Sequence, residues 1–235
     1  MCEKEVEHFL LTIKREGIII SITKKGTLVI VIVSFLILFF LLLAASNNNK
    51  PSSIKNIEDL STEFQPKIGE QDAPVSIVEF GDFLCPSCQS WNEKIYPKLE
   101  NYIEDGVVNL SYINVLFHGE ASKLTSLGAE SVFKNDEDSY WDFHKMLFKE
   151  VQNTGTDINM EDILNIAEKT TNIDRSKLEN DITQEVYSEE LERDKEMLSK
   201  HNINKVPIII INDAVVKDPF DIEEIESIIR ENVEQ

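Results

Sequence analysis

A chain of 235 residues, 42% hydrophobic and 28% charged, is long enough for one domain of ordinary size with extra segments, and apolar enough to bury a core. Its formal net charge of −20 would repel phosphate backbones and argues against nucleic-acid binding. Three cysteines are too few for a small disulfide-stapled scaffold.

Residues 1–26 read as a cytoplasmic tail, basic before the apolar run through Lys14, Arg15, Lys24 and Lys25. Thr27 to Ala45 carries no charge and is mostly Leu, Ile, Val and Phe. That matches one transmembrane helix, which needs about 20 residues. The flanking cations place the tail inside and everything after residue 45 outside the cytoplasm. A cleaved signal peptide is the rival reading. Its apolar core usually spans about 7–15 residues, and Leu43-Ala44-Ala45 makes a weak cleavage site. Residues 46–65, with Asn47-Asn48-Asn49 and Pro51, read as a polar linker. Cys2, on the reducing side, reads as an idle thiol.

Residues 66–235 read as the outer domain. Val75 to Phe80 is a β-rich run broken by Gly81-Asp82. Cys85-Pro86-Ser87-Cys88 follows at once, and Trp91, Ile95 and Leu99 then recur at helical spacing, with Pro97 interrupting the helix. Val107 to Leu116 alternates as a second strand. Four helical patterns follow, around Leu124–Phe133, Tyr140–Phe148, Asp162–Lys169 and Leu178–Val186. Ile208 to Ile211 is a third strand, turning at Asn212-Asp213 into Val215-Val216. An amphipathic helix with Ile222, Ile225, Ile228 and Ile229 closes the chain. The expected fold class is α/β, with a helical insertion of about residues 118–203 between the second and third strands.

The cysteine pair carries the chemistry. Proline suits the first helical position, where its missing N–H costs nothing, so Cys85 falls at the helix cap. Unpaired backbone N–H groups and the positive end of the helix dipole there favour thiolate over thiol. A stabilised thiolate makes the corresponding disulfide a readier oxidant. Cys88, one turn on, is placed to resolve a mixed disulfide at Cys85. A structural zinc site needs four ligands, and beyond the apolar run only His118, His144 and His201 accompany the cysteines, widely scattered. No metal is expected. An inert structural disulfide is the other alternative, with a loop too short to constrain much chain. His144, on an aromatic helix, reads as a packing residue.

Glu79-Phe80-Gly81-Asp82-Phe83-Leu84-Cys85-Pro86-Ser87-Cys88, followed by Trp91, resembles the active-site segment of DsbA-type thiol–disulfide oxidoreductases, above all their membrane-anchored BdbD-like branch. Trp141-Asp142-Phe143-His144 resembles a segment of that family's helical insertion, and Asn204-Lys205-Val206-Pro207 its cis-proline loop. The resemblance implies a thioredoxin fold with a helical insertion, and a redox-active disulfide in place of a cofactor. It implies that Cys85 is the exposed nucleophile, Cys88 its buried partner, and Glu79 a proton relay beneath them. Pro207 would be cis, with Val206 offering backbone hydrogen bonds to a substrate strand. On bare pattern Glu79 has an alternative, an exposed edge position. Pro86 and Ser87 would tune the pair; Ser87 stands where strong oxidants of the family often carry histidine. The implied activity is oxidation of proteins folding outside the cytoplasm, with reoxidation by a DsbB-like quinone-linked membrane partner. A reductase or isomerase on the same fold, and a non-catalytic binding or chaperone-like module, are the alternatives.

Overall fold

The computed structural model describes residues 59–233 together with Val33 and residues 35–37. The expected tail, nearly all of the expected anchor and residues 46–58 of the expected linker therefore lie outside the described residues. Among the described residues no helix is long and apolar enough to cross a membrane. The chain divides into two compact units, residues 1–52 and 53–235, and the second carries the whole sheet.

The sheet has five strands: β1 (Lys67–Ile68), β2 (Val75–Gly81), β3 (Val108–Asn114), β4 (Ile208–Ile211) and β5 (Ala214–Val215), in the order β1-β3-β2-β4-β5. β2 runs parallel to β3 and antiparallel to β4. All seven residues of β3 and all four of β4 are buried, because helices cover both faces. The twofold alternation of strand side chains sorts them. Ile77, Leu110, Tyr112, Ile209 and Ile211 belong to the larger apolar cluster, and Val78, Phe80, Ile113, Ile208 and Ile210 to the smaller one.

Between β2 and β3 lie α1 (Pro86–Lys94) and α2 (Tyr96–Glu104). The expected single interrupted helix is thus two, meeting at Ile95, with Pro97 in the first turn of α2. There its lack of an N–H breaks no helical bond. The insertion holds α3 (Glu120–Asn135), α4 (Tyr140–Thr154), α5 (Met160–Thr170), α6 (Arg175–Thr183) and α7 (Ser188–His201), and α8 (Ile222–Val233) ends the domain.

Two expectations are corrected. The helical patterns number five in the insertion, where four were expected: α6 stops at Thr183, Glu185 takes a φ of 49°, and α7 follows. The buried positions of α7 are Leu191, Asp194, Leu198 and His201, so half of its inward stripe is polar and its apolar period is faint. The insertion also follows the third strand of five, because the two-residue β1 pairs with β3 through Lys67–Ser111 and Ile68–Leu110. A strand that short leaves no alternation to read.

Asp194 is tied into the fold. Its carboxylate accepts from the Gln65 side chain at 2.7 Å and from the Asn114 backbone and side chain at 3.0 and 3.1 Å. The same Asn114 amide donates to Glu130 at 2.8 Å. Burial pushes both carboxyls up, Glu130 to about 8 and Asp194 to about 6.

At the β4–β5 turn Asn212 takes the left-handed conformation, φ 50°, where Asn is better tolerated than most residues. Its side chain accepts from the Ser76 amide at 2.9 Å and donates to Asn232 at 2.8 Å, joining β2 and α8 to the turn. Asn212→Ala should lower stability by about 1–3 kcal/mol. In urea titrations this reads as a lower midpoint with an unchanged slope.

Candidate active site

β2 ends at Gly81, and the chain must turn before α1 begins. Asp82 makes that turn: its carbonyl accepts the Cys85 amide at 2.9 Å and its carboxylate accepts the Leu84 amide at 2.9 Å. Cys85 then takes an extended conformation at the N-cap, Pro86 occupies the first helical turn, and the Cys85 carbonyl accepts from the Gln89 amide at 3.0 Å. Two backbone requirements are thus met by sequence, a turn closed by Asp82 and a helix started by Pro86. Gly81 itself is obligatory. A Cβ there would stand 2.6 Å from the Tyr112 ring and 3.0 Å from Glu79 Oε1.

The two cysteines are free thiols at unequal depth. Cys88 is fully buried; Cys85 is 8% exposed, packed in the same apolar cluster as Phe83 and Leu84, with Val206 against it. The expected exposed Cys85 is therefore nearly covered, with only an edge reaching solvent. Its sulfur lies 3.8 Å from the Val206 carbonyl oxygen, and the Val206–Pro207 peptide is cis. The motif and the Val206-Pro207 loop, about 120 residues apart in sequence, meet at one sulfur.

Electrostatics separate the pair. The Cys88 thiol donates to the Cys85 sulfur, and the Cys88 and Ser87 backbone N–H groups add to it, pulling Cys85 down to about 6 against burial and the Asp82 charge. Cys88 is held protonated, first by its bond to Cys85, then by burial. Ser87 acts here through its backbone N–H, and Pro86 by starting the helix.

Glu79 is fully buried, so the edge alternative is excluded. Burial pushes its carboxyl well above the usual range, opposed by a bond from Asn92. The Asn92 amide donates to Glu79 Oε1 at 3.2 Å, to Oε2 at 3.4 Å and to the Cys88 carbonyl at 3.2 Å. Asn92 also lines a cleft of about 300 Å³ between α1 and α4, together with Gln89, Lys145 and Phe148. Sequence reasoning missed Asn92, although it stands four residues after Cys88, on the same helix face. It also took Asp82 for a strand breaker and His118 for a stray ligand, yet the two meet at 2.8 Å beside the motif.

His144 is core, as expected. It is fully buried against Phe83, Tyr112, Tyr140, Trp141 and Phe148, and burial pushes its imidazole down to about 3, so it is neutral at ordinary pH.

A family profile described as Thioredoxin matches residues 61–231. Disulfide bond formation protein D of Bacillus subtilis (strain 168) is 39% identical over 175 residues, covering 74% of this chain and 79% of that one. The chain belongs to the thioredoxin family, in its DsbA-type, BdbD-like branch. The solved structure of oxidised BdbD from Bacillus subtilis superposes with a TM-score of 0.72 at 38% identity, over 74% of this chain and 96% of that one. DsbA of Chlamydia trachomatis shares the fold at a TM-score of 0.65 and 18% identity, covering 78% and 98%. As a thioredoxin-family member of this branch, the protein is a thiol–disulfide oxidoreductase.

A thiol depressed on folding stabilises the reduced protein fully above its unfolded value, about 8.5. That contribution is lost as pH falls through about 6. The stability of the reduced form relative to the oxidised form should therefore grow between these limits. Alkylation of Cys85 should rise through the same midpoint near 6. Matched denaturant curves of both redox forms, and alkylation rates against pH, check this.

Proposed function

We propose that the protein is an oxidase that donates a Cys85–Cys88 disulfide to proteins folding outside the cytoplasm. One observation carries the reading: the Cys85 sulfur is stabilised as thiolate at a helix N-terminus, beside the Val206 carbonyl of a cis-proline loop, over a protonated Cys88. An extended substrate would hydrogen-bond to the Val206 backbone beside the sulfurs. Its thiolate attacks Cys85, and a mixed disulfide forms as Cys88 leaves with the electron pair. Glu79, whose burial keeps its proton, supplies that proton to Cys88. A second substrate thiolate attacks the substrate sulfur of the mixed disulfide and expels Cys85 as thiolate. The substrate is oxidised by two electrons and the cysteine pair reduced by two. Glu79 regains its proton from the cleft that Asn92 borders.

Turnover then requires reoxidation, which we assign to a DsbB-like quinone-linked membrane partner. No cofactor beyond the disulfide enters this scheme. The uncharged run from Thr27 to Ala45 supports placement as a single-pass anchored protein with its N-terminus in the cytoplasm. Labelling of an engineered surface cysteine by an impermeant reagent on intact cells should succeed. The cell-associated protein should keep its full mass. A mature chain lacking residues 1–45 would remove the anchor from the proposal.

The reduction potential decides the direction of electron flow. It should lie nearer about −120 mV, as for DsbA, than about −270 mV, as for thioredoxin. A value at the thioredoxin end would instead assign a reductase or isomerase. Glu79→Gln should slow release of Cys88 by about 10- to 100-fold while leaving the first alkylation of Cys85 nearly unchanged. Stopped-flow reduction of the oxidised protein reads the difference.

A further inference from the structure

The site contains a buried charge that works against it. Asp82 is 1% exposed and stands three residues before Cys85, and its negative charge opposes formation of the Cys85 thiolate. Buried charges are screened little, so this opposition persists at ordinary ionic strength. Ser87 brings no compensating charge into the motif.

Compensation comes from the other side of the turn. The loop between β3 and α3 and the first turn of α3 fold over Asp82 and direct three groups at it. The Phe117 amide donates to Oδ2 at 2.9 Å, the Ser122 hydroxyl lies 2.9 Å from both oxygens, and His118 Nδ1 lies 2.8 Å from Oδ2. The His118 amide in turn donates to Ser122 Oγ at 3.0 Å, which fixes the His118 backbone. Facing a carboxylate, which only accepts, His118 Nδ1 is the donor of this contact. The His118 side chain is 36% exposed, leaving the ring open to protons from solvent. The neighbouring charges do not replace it. Glu120 is acidic, and Lys123 is engaged with Glu185 at 2.6 Å.

We propose that His118 is a positioning residue that acts through Asp82 on the Cys85 sulfur: its imidazolium offsets the Asp82 charge and so sets how strongly the cysteine pair withdraws electrons. This rests on Cys85 being the reactive thiol of the proposed oxidase. A protonated His118 would bring the charge that Ser87 lacks to the site from a loop 36 residues after Asp82. The same contacts clamp the active-site turn to the loop after β3, so the packing role and the charge role must be separated.

Two substitutions separate them. His118→Gln can still donate to Asp82 but never carries charge. His118→Arg can donate and is always charged. The readout is the thiolate absorbance of Cys85 in the reduced full-length protein at mildly acidic pH, with the equilibrium ratio against glutathione as a second measure and the thermal midpoint as a check on folding. His118→Gln should lower the thiolate fraction and the oxidising equilibrium ratio by about two- to threefold, the size expected of one partly screened charge acting through an intermediary. His118→Arg should keep both at or above the wild-type values. An unchanged thiolate fraction in His118→Gln overturns the proposal, whatever the thermal midpoint does. Equal losses in both variants overturn it as well, because they mark lost packing and not lost charge. Thiolate absorbance needs no substrate, so a protein that fails to oxidise substrates would refute the oxidase reading and still report on His118.

Discussion

A thiolate in an apolar setting must be met by hydrogen-bond donors, and this requirement organises the domain. Cys85 is packed among Phe83, Leu84 and Val206, where a bare charge would be costly. The start of α1 meets it with the N–H groups of Ser87 and Cys88 and with the Cys88 thiol. For α1 to start there, β2 must end at Gly81 and the chain must turn within four residues. The turn depends on Asp82, and Asp82 depends on donors from the loop after β3 and the first turn of α3. Each support lies at the C-terminal end of the parallel pair β2–β3, the edge at which ligand-binding loops of α/β sheets gather.

Depth makes the two sulfurs chemically different. One turn of helix carries the chain from Cys85 at the surface edge to Cys88 against the sheet, where Glu79 lies beneath α1. The same burial that holds Cys88 protonated raises Glu79, so both buried groups resist negative charge. Two groups that cannot both be charged at low cost are suited to sharing one proton. Asn92 is bonded to the Glu79 carboxyl and the Cys88 carbonyl together, so a displacement of α1 would disturb both groups at once.

Much of this was legible in the sequence, for reasons that differ by residue. Pro86 after Cys85 announces a helix start, because proline's geometry favours that position whatever surrounds it. Val75 to Phe80 announces a strand through its β-branched run. The cis geometry at Pro207 and the nearness of Val206 to Cys85 were legible only through resemblance, since a contact spanning about 120 residues leaves no local pattern. Asp82, His118 and Ser122 were opaque for a related reason: each alone is an ordinary polar residue, and their meaning arises when two loops close on each other. α7 was missed because Asp194 and His201 occupy inward positions, and their cost is offset by bonds, as from Gln65 and Asn114 to Asp194, that hydropathy cannot register.

The helical insertion sets the medium around Glu79. α4 lays Phe148 and a neutral His144 against Phe83 and Tyr112, and Tyr112 stands beside Glu79 in the β2–β3 register. These rings exclude water from the sheet face below α1, so desolvation is the leading cause of the Glu79 shift. A charged histidine at position 144 would undo that arrangement by favouring a carboxylate; its own burial prevents it from charging. The insertion thus acts on the cysteine pair at a distance from it. By keeping the surroundings of Glu79 apolar, it holds that carboxyl's pKa up, and the cleft at Asn92 lies at the edge of that apolar cover.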